Sequence, residues 1–384
     1  MIRRVYGVRE SATAPLQSNF RVAAVFVYTD KEGNQAVMDG SNNETCFIHG
    51  SICAERSALP RIRMAGYTSI DAVYITCDGE GYITPGMLCR EYMTEICPLD
   101  LRVVLASGGN TQGPDGVIPN SVRITTLLDL YPFPPAYRNL SRYDVLDHAQ
   151  GLGSRVEAWD LSKDGNLDSD DEQDEGDAQD GGDQVAPCLV RVGEEISVGP
   201  KDLLDLLRAT RKETERDARD ILHPIRYAGG VLFSNGEIHT GCQTKALEYG
   251  ATVNPFIKLA KVLEDGDRDG KTPIALVMMD QFSVLHGPMA DSRAFLHEGS
   301  WGSVPVLLHD TLQNGILVAS TVSELIPDSP RIEELFTDVD SRASSLDLAG
   351  QDSGGAGHRA ELPHVPGVER QNTLHNMLGS QGSV

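Results

Sequence analysis

At 384 residues the chain has room for two domains, and an apolar share of 40% points to cores diluted by soft segments. A net charge of -23 argues against nucleic-acid partners, because no basic stripe stands out to grip a phosphate backbone. No run approaches the ~18 apolar residues of a membrane span, and seven irregularly spaced cysteines argue against a disulfide framework and for a reducing, cytoplasmic setting.

The N-terminus carries Arg3 and Arg4 but no apolar stretch behind them, so it does not read as a secretory signal. Folded pattern begins by Phe20. "FRVAAVFVYTDKEGNQAVMDG" predicts a hairpin that turns at Lys31 to Gly33 and ends at Gly40. "CAERSALPRIRMAG" then predicts a helix, "DAVYIT" a buried strand, "CREYMTEIC" a second helix and "RVVLA" another strand. Residues 164–183 are dense in Asp and Glu, and like charges this close stay solvated. Within and before that block, residues 160–171 have the oxygen spacing of a calcium loop, but Asp171 stands where a bidentate Glu is expected, so solvated acid is the reading.

Beyond the acidic block the pattern repeats. "IRYAGGVLFSNGEIHTG" predicts a hairpin turning at Asn235-Gly236 and ending at Gly241. Gly40 precedes Cys53 by 13 positions, and Gly241 precedes Asn254 by 13. Pro85 and Pro288 are each followed five positions later by arginine, Arg90 and Arg293. "LLDLYP" closes the first copy at Pro132 and "VSELIP" the second at Pro327. The expected organisation is therefore an α/β domain over 1–145, an acidic disordered linker over 146–185, a second copy over 186–336 and a disordered tail over 337–384.

Chemistry concentrates in the first copy. Cys53 and Glu55 start one predicted helix and Cys89 starts the next, where helix N-termini favour thiolates. Two thiolates with a carboxylate between them could hold Zn²⁺ and set Glu55 beside an activated water. Cys46 and Cys97 fit no ligand spacing and read as packing residues.

The segment "APLQSNFRVAAV…GSNNETCFIHGSICAERSAL…TPGMLCREYM…LLDLYP" resembles the cytidine deaminase family over almost the whole first domain. Its pattern Asn-x-Glu, eight residues, Cys-Ala-Glu-Arg is met by Asn42, Glu44, Cys53, Ala54, Glu55 and Arg56. The resemblance implies two copies of a three-layer α-β-α unit around a mixed sheet. It further implies that Glu55 is the catalytic proton shuttle, that Phe20 packs on a pyrimidine, and that Asn42 and Glu44 bond the ribose. Arg56 and Arg90 would support the metal site from behind, Arg56 by offsetting thiolate charge. The family's zinc ligands fall on Cys53, Gly86 and Cys89, so one is missing. Cys77, at the end of "DAVYIT", is the candidate substitute, its other reading a small buried residue closing the strand, with His49 a weaker candidate. Glu91 stands where the family commonly has glutamine. The second copy has lost the set: Asn254, Phe256, Ile257, Met289 and Ser292 replace Cys53, Glu55, Arg56, Gly86 and Cys89. Gln243 and Lys245 replace the sugar-binding pair.

The resemblance thus implies a homodimeric zinc enzyme of pyrimidine salvage, deaminating cytidine or deoxycytidine to uridine or deoxyuridine. The other reading is a catalytically inactive pseudoenzyme that binds nucleosides or acts as a scaffold.

Overall fold

The computed structural model describes residues 1–113, 116–156, 190–191, 198–299, 301–313 and 315–329. The acidic block, the calcium-like loop at 160–171 and the tail after Phe336 lie outside the described residues. In the first copy the elements run α1 (Ile2–Ser11), β1 (Val22–Thr29), β2 (Gln35–Ser41), α2 (Ala54–Ala65), β3 (Ser69–Cys77) and α3 (Met87–Thr94). They continue with β4 (Arg102–Ala106), β5 (Asn110–Gly113), β6 (Gly116–Pro119), β7 (Val122–Thr126), α4 (Leu127–Leu130) and α5 (Asp144–Gly153). The second copy runs β8 (Val190–Arg191), α6 (Pro200–Glu213), β9 (Tyr227–Phe233), β10 (Ile238–Cys242), α7 (Pro255–Lys258) and α8 (Ala260–Arg268). It closes with β11 (Pro273–Asp280), β12 (Leu285–His286), α9 (Ala290–Glu298), β13 (Pro305–Asp310) and β14 (Ile316–Thr321).

The first sheet has the order β2-β1-β3-β4-β7, and the second the order β10-β9-β11-β13-β14-β8 with β12 beside β11. Corresponding pairs run the same way: β3 with β4 and β11 with β13 are parallel, while both hairpins are antiparallel. Even the irregularities repeat. One bulge interrupts β3 against β1 between Val27 and Tyr28, and another interrupts β11 against β9 between Pro273 and Ala275. Each copy is therefore an α/β unit around a mixed sheet, as the sequence predicts.

Alternation along β1 sets the layers, because successive side chains point to opposite faces. Ala23 and Val25 meet Val5 of α1 on one face. Ala24 and Phe26 pack with Ala58, Leu59 and Ile62 of α2 on the other. In the second copy Leu232 packs with Leu203, Leu206 and Leu207 of α6, while Val231 and Phe233 pack with Phe256 and Leu263.

Two glycines position the site by close approach. A Cβ on Gly40 would lie 2.2 Å from Ala54 O, so only glycine lets β2 press against the first turn of α2. A Cβ on Gly108 would lie 2.1 Å from Cys77 O. α1 ties the same edge: Arg9 Nη1 donates to Cys77 O at 2.6 Å and to Gly108 O at 3.1 Å, and Tyr6 donates to Ser107 O.

The two copies clasp each other through matched arginines. Arg90 donates to Pro85 O and Leu130 O in its own copy and reaches across to Pro327 O at 2.7 Å. Arg293 donates to Pro288 O and Leu325 O in its own copy and reaches across to Pro132 O at 2.8 Å. The prolines that match in the repeat are thus each held by the other copy's arginine.

Two differences from the sequence reading concern helices. α1 falls where the sequence shows no folded pattern, because its buried stripe of Val5, Tyr6 and Arg9 includes a charged residue. α5 occupies the start of the stretch read as linker from 146. Its Val145, Ala149 and Leu152 are buried against Tyr137, Ile225 and Val284.

Candidate active site

Two helix N-termini build the site. Cys53 is the extended N-cap residue of α2, and Gly86 caps α3, which places Cys89 in its first turn through a 2.9 Å bond from Cys89 N to Gly86 O. One donor atom from each of Cys53, Glu55 and Cys89 lies within 4.8 Å of the others. No second such group of His, Cys, Asp and Glu occurs among the described residues. Glu55 is only 3% exposed and Cys89 is fully buried, while Cys53 is half-buried.

Electrostatics at this spacing separate the three acids. A hydrogen bond from the Cys89 thiol, then the Arg56 guanidinium, hold Cys53 at about 6 against the opposing effect of burial. The same hydrogen bond, burial and the Glu55 charge push Cys89 far up. Burial and then the Cys53 charge raise Glu55 to about 7. Three acidic groups that resist ionising together are what a divalent cation would reconcile. Soft sulfur donors beside a carboxylate suit zinc. Cys53 and Cys89 would hold the ion, with Glu55 next to it.

Around this centre, Arg56 Nη2 lies 3.8 Å from Cys53 Sγ. Asn42 accepts from Val22 N at 2.8 Å and donates to Phe20 O at 2.9 Å, which binds the loop carrying Phe20 to the start of β1. Glu44 lies 3.5 Å from the Asn42 amide and accepts from Ser18 N and Ser18 Oγ at 2.9 and 2.8 Å. Asn42, Glu44 and Phe20 therefore form one hydrogen-bonded rim. Ser18 belongs to it as well, and no spacing or motif marks it in the sequence.

Two expected members stand elsewhere. Cys77 is not brought into the donor group: its Sγ lies 3.6 Å from Gly81 O at the end of β3, and burial raises its thiol. The strand edge is the right one, but α2 and α3 converge away from it. Arg90 is fully buried among backbone carbonyls, so it braces the turn at Pro85 rather than facing the thiols. His49 is exposed on its loop against Phe47, and Cys46 is exposed while Cys97 is buried. At Gly86 an added Cβ would meet nothing within 4 Å.

In the second copy the helix that would carry the chemistry is broken into α7 and α8. Pro255 occupies its first position, and fully buried Phe256 fills the slot corresponding to Glu55.

No family model matches the chain. A curated cytidine deaminase from Halalkalibacterium halodurans is 33% identical over 113 residues, which cover 29% of this chain and 80% of that protein. Among solved structures, cytidine deaminase from Burkholderia pseudomallei aligns at 32% identity over 35% of this chain and 95% of that one, with a TM-score of 0.29. The enzyme from Mycobacterium leprae aligns at 21% identity over 34% and 94%, with a TM-score of 0.26. With a third of residues identical across four-fifths of the curated relative, the chain belongs to the cytidine deaminase family.

Proposed function

We propose that the chain catalyses hydrolytic deamination of cytidine or deoxycytidine, with zinc held by Cys53 and Cys89. The observation that carries this reading is the convergence of Cys53, Glu55 and Cys89 within 4.8 Å at two helix N-termini. A zinc ion bound there supplies a Lewis acid that makes water nucleophilic at neutral pH. Phe20 packs on the pyrimidine, and Asn42 and Glu44 take the ribose hydroxyls. A sugar lacking those hydroxyls would forfeit these bonds. Glu55, poised at about 7, takes the protons of the attacking water and delivers one to the ring nitrogen and one to the departing amine. The carbon–oxygen bond forms, the carbon–nitrogen bond breaks, and ammonia leaves. Arg56 steadies the thiolate charge at Cys53. The same reading places the chain in cytoplasmic pyrimidine salvage as a homodimer. Among the described residues, no helix is long and apolar enough to cross a membrane.

The test is zinc content together with ammonia release from cytidine. About one zinc per chain and turnover are expected, and Glu55→Gln should keep the metal while losing roughly 10²–10⁴-fold in rate. Metal-free protein without turnover would overturn the enzyme reading. The second reading, a nucleoside-binding pseudoenzyme, is favoured by Gly86, which removes a thiolate from the family's ligand set. Uridine binding that is lost on Asn42→Ala, without zinc or turnover, would establish it.

A further inference from the structure

A cavity of about 710 Å³ lies between the two copies, around the second copy's counterparts of candidate-site residues. Its walls include Gln243, Lys245 and Asn254, the counterparts of Asn42, Glu44 and Cys53. The first copy supplies Arg56, Glu91 and part of the segment 131–137, so both copies are needed to enclose it. The volume falls in the range of small-molecule sites, roughly 300–1,000 Å³.

The chemistry of the walls narrows the occupant. Tyr131, Phe133, Tyr137, Tyr227 and Tyr249 give it aromatic faces, which favour a planar ring. The nearby cations are already engaged. Lys245 Nζ is 3.1 Å from Asp217 Oδ1, and Arg293 is spent on backbone carbonyls. Glu91 Oε2 accepts from Tyr131 OH and Ala290 N, and Arg56 faces Cys53. An anionic ligand would find no cation free to repay its desolvation, and the buried carboxylate Glu91 is already taken up by its two donors.

Neutral hydrogen-bonding groups, by contrast, are open. The Gln243 side-chain amide has no protein partner among the described residues. His309 accepts from Leu285 N through Nδ1 at 2.9 Å, which leaves its Nε2–H as a donor on the wall. His286 bonds Asp280 Oδ2 through Nε2 at 3.0 Å, which leaves Nδ1 to bond a ligand. Tyr137 and Tyr227 hold that imidazole edge-on at 5.2 and 5.3 Å.

We propose that this cavity binds an uncharged planar nitrogen heterocycle of nucleoside size, stacked on the tyrosines and read by Gln243, His286 and His309. The site shares Arg56 with the proposed catalytic cleft but none of its donor group, and it stands whether or not that cleft turns over. The test is calorimetric titration of the full chain with uridine, comparing wild type, Asn42→Ala in the cleft rim, and Ala246→Trp, which enlarges a side chain of the cavity wall. Two uridines per chain are expected in the wild type and one in each variant. Should Ala246→Trp fail to fold by circular dichroism, Gln243→Leu decides, with at least tenfold weaker binding at one of two sites expected. A single uridine that survives Asn42→Ala but is lost on Ala246→Trp upholds the cavity and removes the cleft reading. Wild-type stoichiometry and affinity in the folded cavity variant, or no uridine bound at all, overturns the inference.

Discussion

Glu91 accepts the backbone N–H of Ala290 at 2.8 Å, a bond between copies that caps the first turn of α9 with a carboxylate from α3. The same oxygen accepts Tyr131 OH at 2.6 Å. Burial raises this carboxyl, and the Tyr131 bond opposes the rise. Glu91→Ala leaves both donors unsatisfied and should cost about 1–3 kcal/mol in urea denaturation. Glu91→Gln keeps an acceptor oxygen and should cost less than half as much. Equal losses in the two variants would show that the bond contributes nothing specific.

Gly86 offers the most direct gain of function. Its Cβ direction is open, so Gly86→Cys should seat a third thiol without moving α3 and tighten zinc at least tenfold against a competing chelator. Cys53→Ser and Cys89→Ser should each lose most of the metal. Cys77→Ser should keep it, since Cys77 lies outside the donor group. Zinc loss on Cys77→Ser would reinstate that residue as a ligand.

Gly40 tests how the site is held. A methyl there meets the Ala54 carbonyl at 2.2 Å, so α2 must shift. Gly40→Ala is expected to destabilise the chain by about 1–3 kcal/mol and to lower zinc affinity along with melting temperature. The matching change Gly241→Ala, where the nearest atom is the flexible Leu259 side chain at 3.3 Å, should cost less. The reverse order would mean that the helix approach does not govern the metal site.

Burial, reinforced by His286, depresses His309 from its ordinary 6.5 to about 4, while Asp280 pulls the other way. Its folded pKa lies below its unfolded one, so its contribution is complete above pH 6.5 and lost as the pH falls toward 4. That contribution is on the order of 3 kcal/mol. Unfolding free energies measured across this window should fall more steeply for wild type than for His309→Gln. Parallel slopes would remove His309 from the acid response.

The hairpins, the strand "DAVYIT" and the helix beginning after Cys53 are legible in the sequence because alternation and turn residues are local signals. The cysteine–glutamate group is legible for another reason: its spacing matches the family pattern at several independent positions. α1 escapes notice because Arg9 sits in its buried stripe, and its role depends on carbonyls of Cys77 and Gly108 far along the chain. α5 reads as linker because two glycines and two early aspartates dilute a short apolar face. Cys77 occupies the expected sheet edge, yet no local rule says which way two helix starts will lean. Neither the Glu91 bond nor the second cavity has any local signature, since each is assembled from residues of both copies.

The mutual grip of Arg90 on Pro327 and of Arg293 on Pro132 has an evolutionary consequence. A catalytically silent duplicate would ordinarily be free to erode or be deleted. Here its removal would strip a buried guanidinium of a carbonyl beside the very turn that presents Cys89. Loss of the second copy is therefore opposed by the packing of the first.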